Sequence, residues 1–590
     1  MDYSTHLATS LPALLRDGGV SLSQLRQHRG AAELLLTLDL ERLRTDLVAA
    51  LPRRPGGRKP FDQVVLARSL LLCVIVGGGR LNAWGRRLAA EPLLRVLIGL
   101  GATAKAPAIG THYAFMRRVL RASTPDAADP ELAAGHGGLF ERSLADEPRD
   151  AADNIDGACE RMRKLIDAGG LPGSLDARLI GWVVDVGVRC LVDADLLVRR
   201  LDLAVDGTVH GTHACRFGVP SHRRVDAADT ARPTPEPAEA APTATAAERT
   251  APDRAAAPER AAHRTKGAVA KSAQRKRDRD RRRGTSAPVS TAPASPGTTA
   301  RASARPRVFS DPTASFRYSN GSGSVEFGHL GIAATTRVGN ADVPLFSAFA
   351  RPHHGETPES MRAIEQFIVA MGKHFPEHKL RSVIGDAGFD AAAFYTYVRS
   401  RGADPIVAIG ANPLPVADGD YASDGRPTCA GGAAMQLHSR ASHGLRYQCP
   451  AQRMTRAKDG PGSKAGYVFD ATRCPLGAPC AEAERGGASG PFRVVPAEQH
   501  PRLHLPVPRG SDEFITRMKT RTAVERYFAH QHHKLKDRSY RRRHIWQFMC
   551  AMHVLWRQAA VVRAARPDAF AAFWADIRAA ASSPPAADAA

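Results

Sequence analysis

Apolar and polar residues alternate in two stretches of the chain, and an aspartate follows each stretch. Every second residue from 201 to 205 is apolar, which predicts a strand that ends at Asp206. The short stretch 381–385 predicts a second strand, which leads into Asp386 and a glycine-rich turn. Both carboxylates are therefore candidates for a shared functional site at the ends of two strands.

A helical pattern near the C-terminus supplies a third carboxylate. Arg521 and Glu525 are four residues apart and share one helix face. Asp206, Asp386 and Glu525 together could hold two Mg²⁺ or Mn²⁺ ions, which take oxygen ligands. The alternative is structural: an aspartate at a strand end is more often a turn or cap residue.

The remaining hydrophobic pattern predicts helices in the N-terminal part and a mixture of strands and helices further on. Residues 110–119 predict a helix with Thr111 as its N-cap and a face that carries arginines. Helices are also expected at 61–73, 356–371, 391–401 and 545–563, and strands at 325–336, 343–349 and 405–409. We expect the first two of these strands to be antiparallel neighbours of the Asp206 strand. The pattern predicts an α/β fold.

Two segments depart from these patterns. Residues 227–305 are dominated by Ala, Pro, Thr, Ser and Arg, a composition that predicts disorder. Residues 412–512 are rich in Gly and Pro and contain Cys429, Cys449, Cys474 and Cys480. The gap between the last two cysteines is wider than in common zinc knuckles, so a structural zinc site and free thiols both remain open.

The charge of the chain points to a polyanionic partner. The 590 residues carry a formal net charge of +23, which suits nucleic acid or an anionic membrane surface. The longest apolar run, 69–79, is too short to span a bilayer, and residues 1–6 lack the pattern of a secretory signal. Nine unevenly placed cysteines argue for a reducing compartment. We expect a soluble cytoplasmic protein without a membrane partner.

Four motifs together resemble the DDE-class transposases of bacterial insertion sequences. They are Asp206-Gly-Thr208, Asp311-Pro-Thr-Ala-Ser-Phe-Arg317, Gly385-Asp-Ala-Gly-Phe-Asp390 and Arg521-x3-Glu525-Arg-x-Phe528. One branch of that family has a Tyr before the Arg and a Lys after the Glu, where this chain has Met518 and His532.

The resemblance implies an RNase H-like mixed sheet flanked by helices. It also implies a helical DNA-end-binding domain before the sheet and an insertion before the last catalytic helix. The predicted organisation follows in chain order: 1–150 helical DNA-end-binding domain, 151–225 bridging helices and first catalytic strand, 226–306 disordered linker, 307–411 RNase H-like core, 412–512 cysteine-containing insertion, 513–565 final catalytic helix and C-terminal helix, 566–590 tail.

The resemblance further implies an activity and its residues. Asp206, Asp386 and Glu525 would hold Mg²⁺ or Mn²⁺, and Arg521 would orient Glu525 or hold a phosphate. The substrates would be double-stranded DNA, namely terminal inverted repeats and target DNA, bound by a homodimer. Two alternatives remain open: a nuclease with the same core that does not join strands, and a non-catalytic DNA-binding descendant.

Overall fold

The computed structural model describes most of the chain outside the predicted linker. The described residues are 2–49, 60–121, 140–142, 155–171, 175–211, 219–220, 307–309, 314–319, 324–350, 355–410, 420–441, 443–455, 466–477, 479–480, 492–496, 501–535 and 543–582. The predicted 226–306 linker lies outside the described residues, as do positions 311–313 of the second motif.

The N-terminal part of the chain is helical, as its pattern predicts. Its helices are α1 (Tyr3–Arg16), α2 (Leu22–Thr37), α3 (Arg44–Ala49), α4 (Gln63–Gly77), α5 (Leu81–Ala90), α6 (Pro92–Leu97) and α7 (Ile109–Arg121). Ser21 caps α2 in a capping box, because its hydroxyl accepts from the Gln24 N–H and the Gln24 side chain accepts in return. The predicted N-cap of α7 is wrong, since Thr111 lies inside a helix that begins at Ile109.

A second group of helices leads from the N-terminal part to the sheet. These are α8 (Ile155–Asp167), α9 (Leu175–Trp182) and α10 (Arg189–Asp193), with a π-helical segment at Val183–Val188. The long strand β2 (Arg200–Gly211) follows them. Among the described residues, the short strands β1 (Phe140–Arg142), β3 (Val219–Pro220) and β4 (Arg307–Phe309) form a separate sheet in the order β1-β4-β3.

The main sheet is mixed and is flanked by helices, so the fold is α/β. The other strands of this sheet are β5 (Ser315–Ser319), β6 (Ser324–Val338), β7 (Ala341–Ala350), β8 (Lys379–Gly385) and β9 (Asp404–Val407). The strand order is β5-β6-β2-β8-β9, and β7 pairs with β6. β2 is antiparallel to β6 and parallel to β8, and β8 is parallel to β9.

Two details of the predicted sheet are wrong. Asp206 lies in the middle of β2 rather than at its end, because β6 continues to pair with β2 as far as Gly211. The alternation of β2 breaks at Gly207, but pairing with a long neighbour extends the strand beyond that point. Of the two strands expected beside β2, only β6 is its neighbour, while β7 pairs with β6.

Helices cover the sheet and complete the C-terminal part. They are α11 (Glu356–His374), α12 (Ala392–Ser400), α13 (Asp512–Met518), α14 (Thr522–Lys534), α15 (Arg543–Ala565) and α16 (Ala571–Ser582). α11, α14 and α15 pack against strands of the sheet. The expectation that 566–590 is only a tail is wrong, since α16 buries Trp574, whose indole N–H donates to Glu33 of α2 over 2.9 Å.

The cysteine-containing insertion also has regular structure, which its composition does not predict. Its strands are β10 (Gln436–Ala441), β11 (Gly444–Gln448), β12 (Gln452–Thr455), β13 (Gly466–Phe469) and β14 (Phe492–Pro496). β10, β11 and β14 form one antiparallel sheet, and β12 and β13 form a hairpin.

A continuous hydrophobic core joins the N-terminal helices, the main sheet and α15. In the part of the chain that the structure describes, no single helix has the length and apolar character to span a membrane. α4 and α5 reach that apolar character only as a pair, and they are bent by 101°.

Candidate active site

Arg521 brings two of the predicted site residues together. Its guanidinium lies 2.6 Å from the Glu525 carboxylate and 3.8 Å from the Asp206 carboxylate. Arg521 ends a 3₁₀ turn, and Glu525 is in the first turn of α14, so the expected pairing four residues apart is present. Asp206 extends from the middle of β2 toward Arg521, and its side chain is 17% exposed.

Glu356 is a fourth carboxylate at this position, and sequence reasoning missed it. It is the first residue of α11, and its carboxyl group shares a hydrogen bond with that of Asp206. A β-carbon on Gly207 would lie 2.8 Å from the Glu356 carboxyl carbon, so the glycine makes room for this side chain. The helix N-terminus also favours a negative charge at Glu356.

Asp386 follows β8, as predicted, and begins a tight turn. Its carboxylate accepts from the Gly388 N–H over 2.8 Å and caps the 3₁₀ helix Ala387–Phe389. The Thr357 hydroxyl donates to the Gly388 carbonyl over 2.8 Å, which fixes this turn against the start of α11. The Asp386 turn and Glu356 are therefore tied together through neighbouring residues.

The concentration of carboxylates changes the acidity of Asp206. Burial, followed by the charge and hydrogen bond of Glu356, raises the pKa of Asp206 to about 8, and the charge of Asp386 adds to the effect. A hydrogen bond from the Gly207 N–H opposes this rise. Excess negative charge at one point favours the binding of a cation. As placed, no three or more His, Cys, Asp or Glu residues among those described form a group able to hold a metal ion.

Asp390, the second aspartate of the Asp386 motif, has a structural role. It is buried, and Arg502 donates to both of its carboxylate oxygens, over 3.0 and 2.5 Å. The Tyr395 hydroxyl and the Gly410 N–H also donate to it. Burial raises the pKa of Asp390, but these donors outweigh burial and lower it overall. Asp390 therefore anchors Arg502 of the insertion to the sheet.

Within α14, the chain has His532 where one branch of the resembling family has a lysine. The His532 ring lies 4.9 Å from the ring of His210 on β2, measured between centroids. Lys534, two residues further along α14, places its ammonium 5.4 Å from the Trp556 ring centre.

Helix α7 has a buried apolar side and an exposed basic side. Phe115 is buried and contacts Phe548 of α15 edge to face, with ring centres 6.0 Å apart. Arg117 and Arg118 are exposed. The aromatic side of the helix therefore belongs to the core, and the arginines face solvent.

Cys429, Cys449, Cys474 and Cys480 all lie in the insertion, and none of these four described residues forms a disulfide. They are remote in sequence from the carboxylates and contribute nothing to the group around Asp206.

Glu356 had one signal in the sequence: an acidic residue after Gly355 at the start of a predicted helix. That signal does not indicate that Glu356 contacts Asp206 of β2.

No protein-family model, no curated protein and no solved structure matches the chain.

Proposed function

We propose that the chain is a DNA transposase that cleaves the ends of a mobile element and joins them to target DNA. The observation that carries this proposal is the position of Arg521 between Asp206 and Glu525, with Asp386 close enough to act on Asp206. Asp206 lies on β2, Asp386 follows the parallel strand β8, and Glu525 lies on α14. The DDE resemblance implies the same placement on two strands and a C-terminal helix.

The topology of the sheet supports the same proposal. Three strands are connected antiparallel in the order β7-β6-β2, and β8 and β9 then extend the sheet in parallel on the other side of β2. We infer that this sheet is an RNase H-like core. α11 and α12 connect the later strands, as the predicted alternation of strands and helices requires.

Burial is the largest cause of the raised pKa of Asp206, and the negative charges of Glu356 and Asp386 add to it. A divalent cation would neutralise those charges. As placed, these residues do not form a group able to hold a metal ion. Asp206, Asp386 and Glu525, with Glu356 beside them, would have to move closer together to hold Mg²⁺ or Mn²⁺. Such ions supply charge stabilisation for in-line displacement at a phosphodiester.

The chain's own residues have separate tasks in this reaction. Arg521 orients Glu525 in the structure, and its planar guanidinium is also suited to a phosphate oxygen. Glu356 shares a hydrogen bond with Asp206, and after burial it is the largest cause of the raised pKa of Asp206. Exposed arginines such as Arg117 and Arg118 would contact the DNA backbone, which fixes position without reading sequence.

The proposal is tested with full-length protein, Mg²⁺ and DNA that carries the terminal repeats flanking its gene. The rate of strand cleavage should fall at least 100-fold in each of three variants: Asp206→Asn, Asp386→Asn and Glu525→Gln. A 100-fold decrease corresponds to a loss of about 2.7 kcal/mol of transition-state stabilisation. End binding should be retained, since backbone contacts and cleavage chemistry involve different groups.

Asp342→Asn is the matched control. Asp342 is an acidic residue of the same sheet, and it pairs with Arg526 of α14 over 2.6 Å rather than with the site. Its loss should leave cleavage nearly unchanged. Equal cleavage by the Asp386→Asn protein and the unmodified protein would refute the assignment. Cleavage without joining would favour the nuclease alternative.

A further inference from the structure

A pocket of about 330 Å³ lies between the main sheet and the helical segment that joins α13 to α14. On the sheet side, β2 contributes every second residue from Arg200 to Ala204, so these side chains share one face of the strand. Asp206 is the next residue on that face. On the helical side, Thr520 lines the pocket, and the next residue, Arg521, contacts Asp206. The pocket therefore borders the carboxylate site.

The charged residues that line the pocket are mostly cations. Among the described residues they are four arginines and a single aspartate: Arg200, Arg337, Arg381, Arg517 and Asp202. Arg381 donates to both carboxylate oxygens of Asp202, so the one negative charge is already matched. Arg517 pairs with Asp404 and Glu513 over 2.9 and 2.5 Å. Burial lowers the pKa of Arg381, and the charge of Arg517 lowers it further, although the charges of Glu513 and Asp404 oppose this.

The other two arginines leave positive charge unmatched. Arg200 lies opposite another cation, Lys379, in the pairing of β2 with β8. Arg337 lies opposite Asp342 in the pairing of β6 with β7, but Asp342 pairs with Arg526 over 2.6 Å. In the part of the chain that the structure describes, neither Arg200 nor Arg337 has a carboxylate partner. Both side chains are exposed, so an anion can reach them.

A buried hydroxyl group in the pocket also lacks a partner. Thr335 lines the pocket and is fully buried, and its hydroxyl has no hydrogen-bond partner among the described residues. Thr335 pairs with Ala204, which also lines the pocket, and residues directly opposite each other have side chains on the same face of a sheet. A buried hydroxyl without a partner costs free energy, which an acceptor oxygen from a ligand would recover.

We propose that this pocket holds a backbone phosphate of the DNA strand that enters the carboxylate site. Guanidinium groups and a hydroxyl donor suit phosphate oxygens. Asp202, at the pocket, and Asp206 are four residues apart on β2, which is roughly 13 Å along a strand. Duplex DNA rises about 3.4 Å per nucleotide, so the phosphate would lie a few nucleotides from the cleaved bond. The choice of DNA as the source of the phosphate rests on the proposed function, whereas the unmatched charge and the hydroxyl do not.

The test is the affinity of full-length protein for a DNA duplex of unrelated sequence, measured in EDTA over a range of salt concentrations. Arg200→Gln and Arg337→Gln should each weaken binding about three- to tenfold at low salt, because each removes a phosphate contact. The slope of log affinity against log salt should become shallower by up to about 0.9. Arg26→Gln, on an exposed position of α2, is the matched control, since it removes the same charge away from the pocket.

Thr335→Val is a second variant that keeps the net charge and the shape of the side chain. It removes a hydroxyl that has no partner within the described protein, so the melting temperature should not fall. Affinity for the duplex should nevertheless decrease, by about threefold, because a donor to the phosphate is lost. A hydroxyl with no ligand would change stability and leave DNA affinity as it is.

The outcomes separate this proposal from the proposed function. If both pocket arginine variants bind DNA as Arg26→Gln does, the phosphate site is wrong, and the cleavage test of the carboxylates still stands. If DNA affinity depends on the pocket arginines but the unmodified protein cleaves no DNA, the phosphate site stands and the proposed function is wrong. Inorganic phosphate at constant ionic strength tests the other source. Saturable stabilisation that is lost in Arg337→Gln, with no change in DNA affinity, would overturn DNA as the source.

Discussion

Glu356 influences the charge of Asp206 more than any other side chain does. Folding places its carboxyl group against a strand whose neighbouring residue, Gly207, has no side chain to obstruct it. Two acids in hydrogen-bond contact cannot both ionise freely, so one of them keeps a proton. This arrangement costs stability in the folded state.

The cost should be visible as a dependence of stability on pH. The pKa of Asp206 is raised from 3.8 to about 8, so the folded protein keeps a proton that the unfolded chain releases. Stability should therefore fall as pH rises from about 4 to about 8. Glu356→Gln removes the like charge and lowers the pKa of Asp206. In EDTA the variant should melt at a higher temperature than the unmodified protein at pH 8, with a smaller difference at pH 5.

The control for this comparison is Asp576→Asn, which removes a negative charge from the exposed face of α16. Its melting temperature should follow that of the unmodified protein at both pH values. A Glu356→Gln protein that is less stable at pH 8 would show that Glu356 stabilises the start of α11 instead.

The sequence singled out four candidate residues but not the side chains that surround them. Asp206, Asp386, Arg521 and Glu525 follow from motifs and strand patterns, and Arg521 indeed contacts both Asp206 and Glu525. Glu356 could not be found in this way, because its partner is about 150 residues earlier in the chain. Only the packing of α11 against the sheet brings the two acids together.

Asp176 connects several elements through one buried carboxylate. It accepts from Arg362 of α11 over 2.9 Å, from the Gln547 side chain of α15 over 2.9 Å, and from the Phe349 N–H of β7 over 3.2 Å. Arg362 also pairs with Glu359, so it has a second anionic partner. These contacts fix α9, α11, α15 and the edge of the sheet relative to one another.

Asp176→Ala should destabilise the protein by about 3 kcal/mol, because it removes one partner of a buried ion pair and strands two buried donors. Denaturant unfolding of the full-length protein measures the loss. Asp576→Ala, on an exposed helix face, should cost less than about 0.5 kcal/mol. Equal effects of the two substitutions would mean that the Asp176 contacts contribute no net stability.

Element types were predicted more reliably than element ends. The helix expected at 356–371 is present as α11, because its apolar spacing matches a packed face. The end of β2 was misplaced, since pairing with β6 decides it and no local residue does. The strands of the insertion were missed because glycine and proline obscure their alternation.

The strands β3 and β4, which flank the segment 221–306 in sequence, pair with each other. β3 ends at Pro220, β4 begins at Arg307, and Pro220 pairs directly with Arg307. Residues 221–306 lie outside the described residues, but the two residues that flank them are neighbours. A short turn could therefore replace them without displacing either strand.

Replacing residues 227–305 with a short Gly-Ser turn should leave the melting temperature unchanged or raise it slightly. A shorter connection costs less closure entropy, and a segment of this composition has little apolar surface to bury. Affinity for non-specific DNA should fall and depend less on salt, since the basic run 271–283 is removed. The control is an equal-length replacement that keeps 271–283. A large drop in melting temperature would refute the prediction of disorder.

The ion pair between Arg521 and Asp206 also has a consequence during protein synthesis. More than half of the 590-residue chain separates its two members. At typical elongation rates, a ribosome adds Arg521 roughly 20–60 s after Asp206. Asp206 is therefore synthesised long before α14. The set of Asp206, Asp386 and Glu525 is complete only when Glu525 is added, near the end of translation. Any product that terminates before Arg521 lacks both Arg521 and Glu525 and cannot form this ion pair.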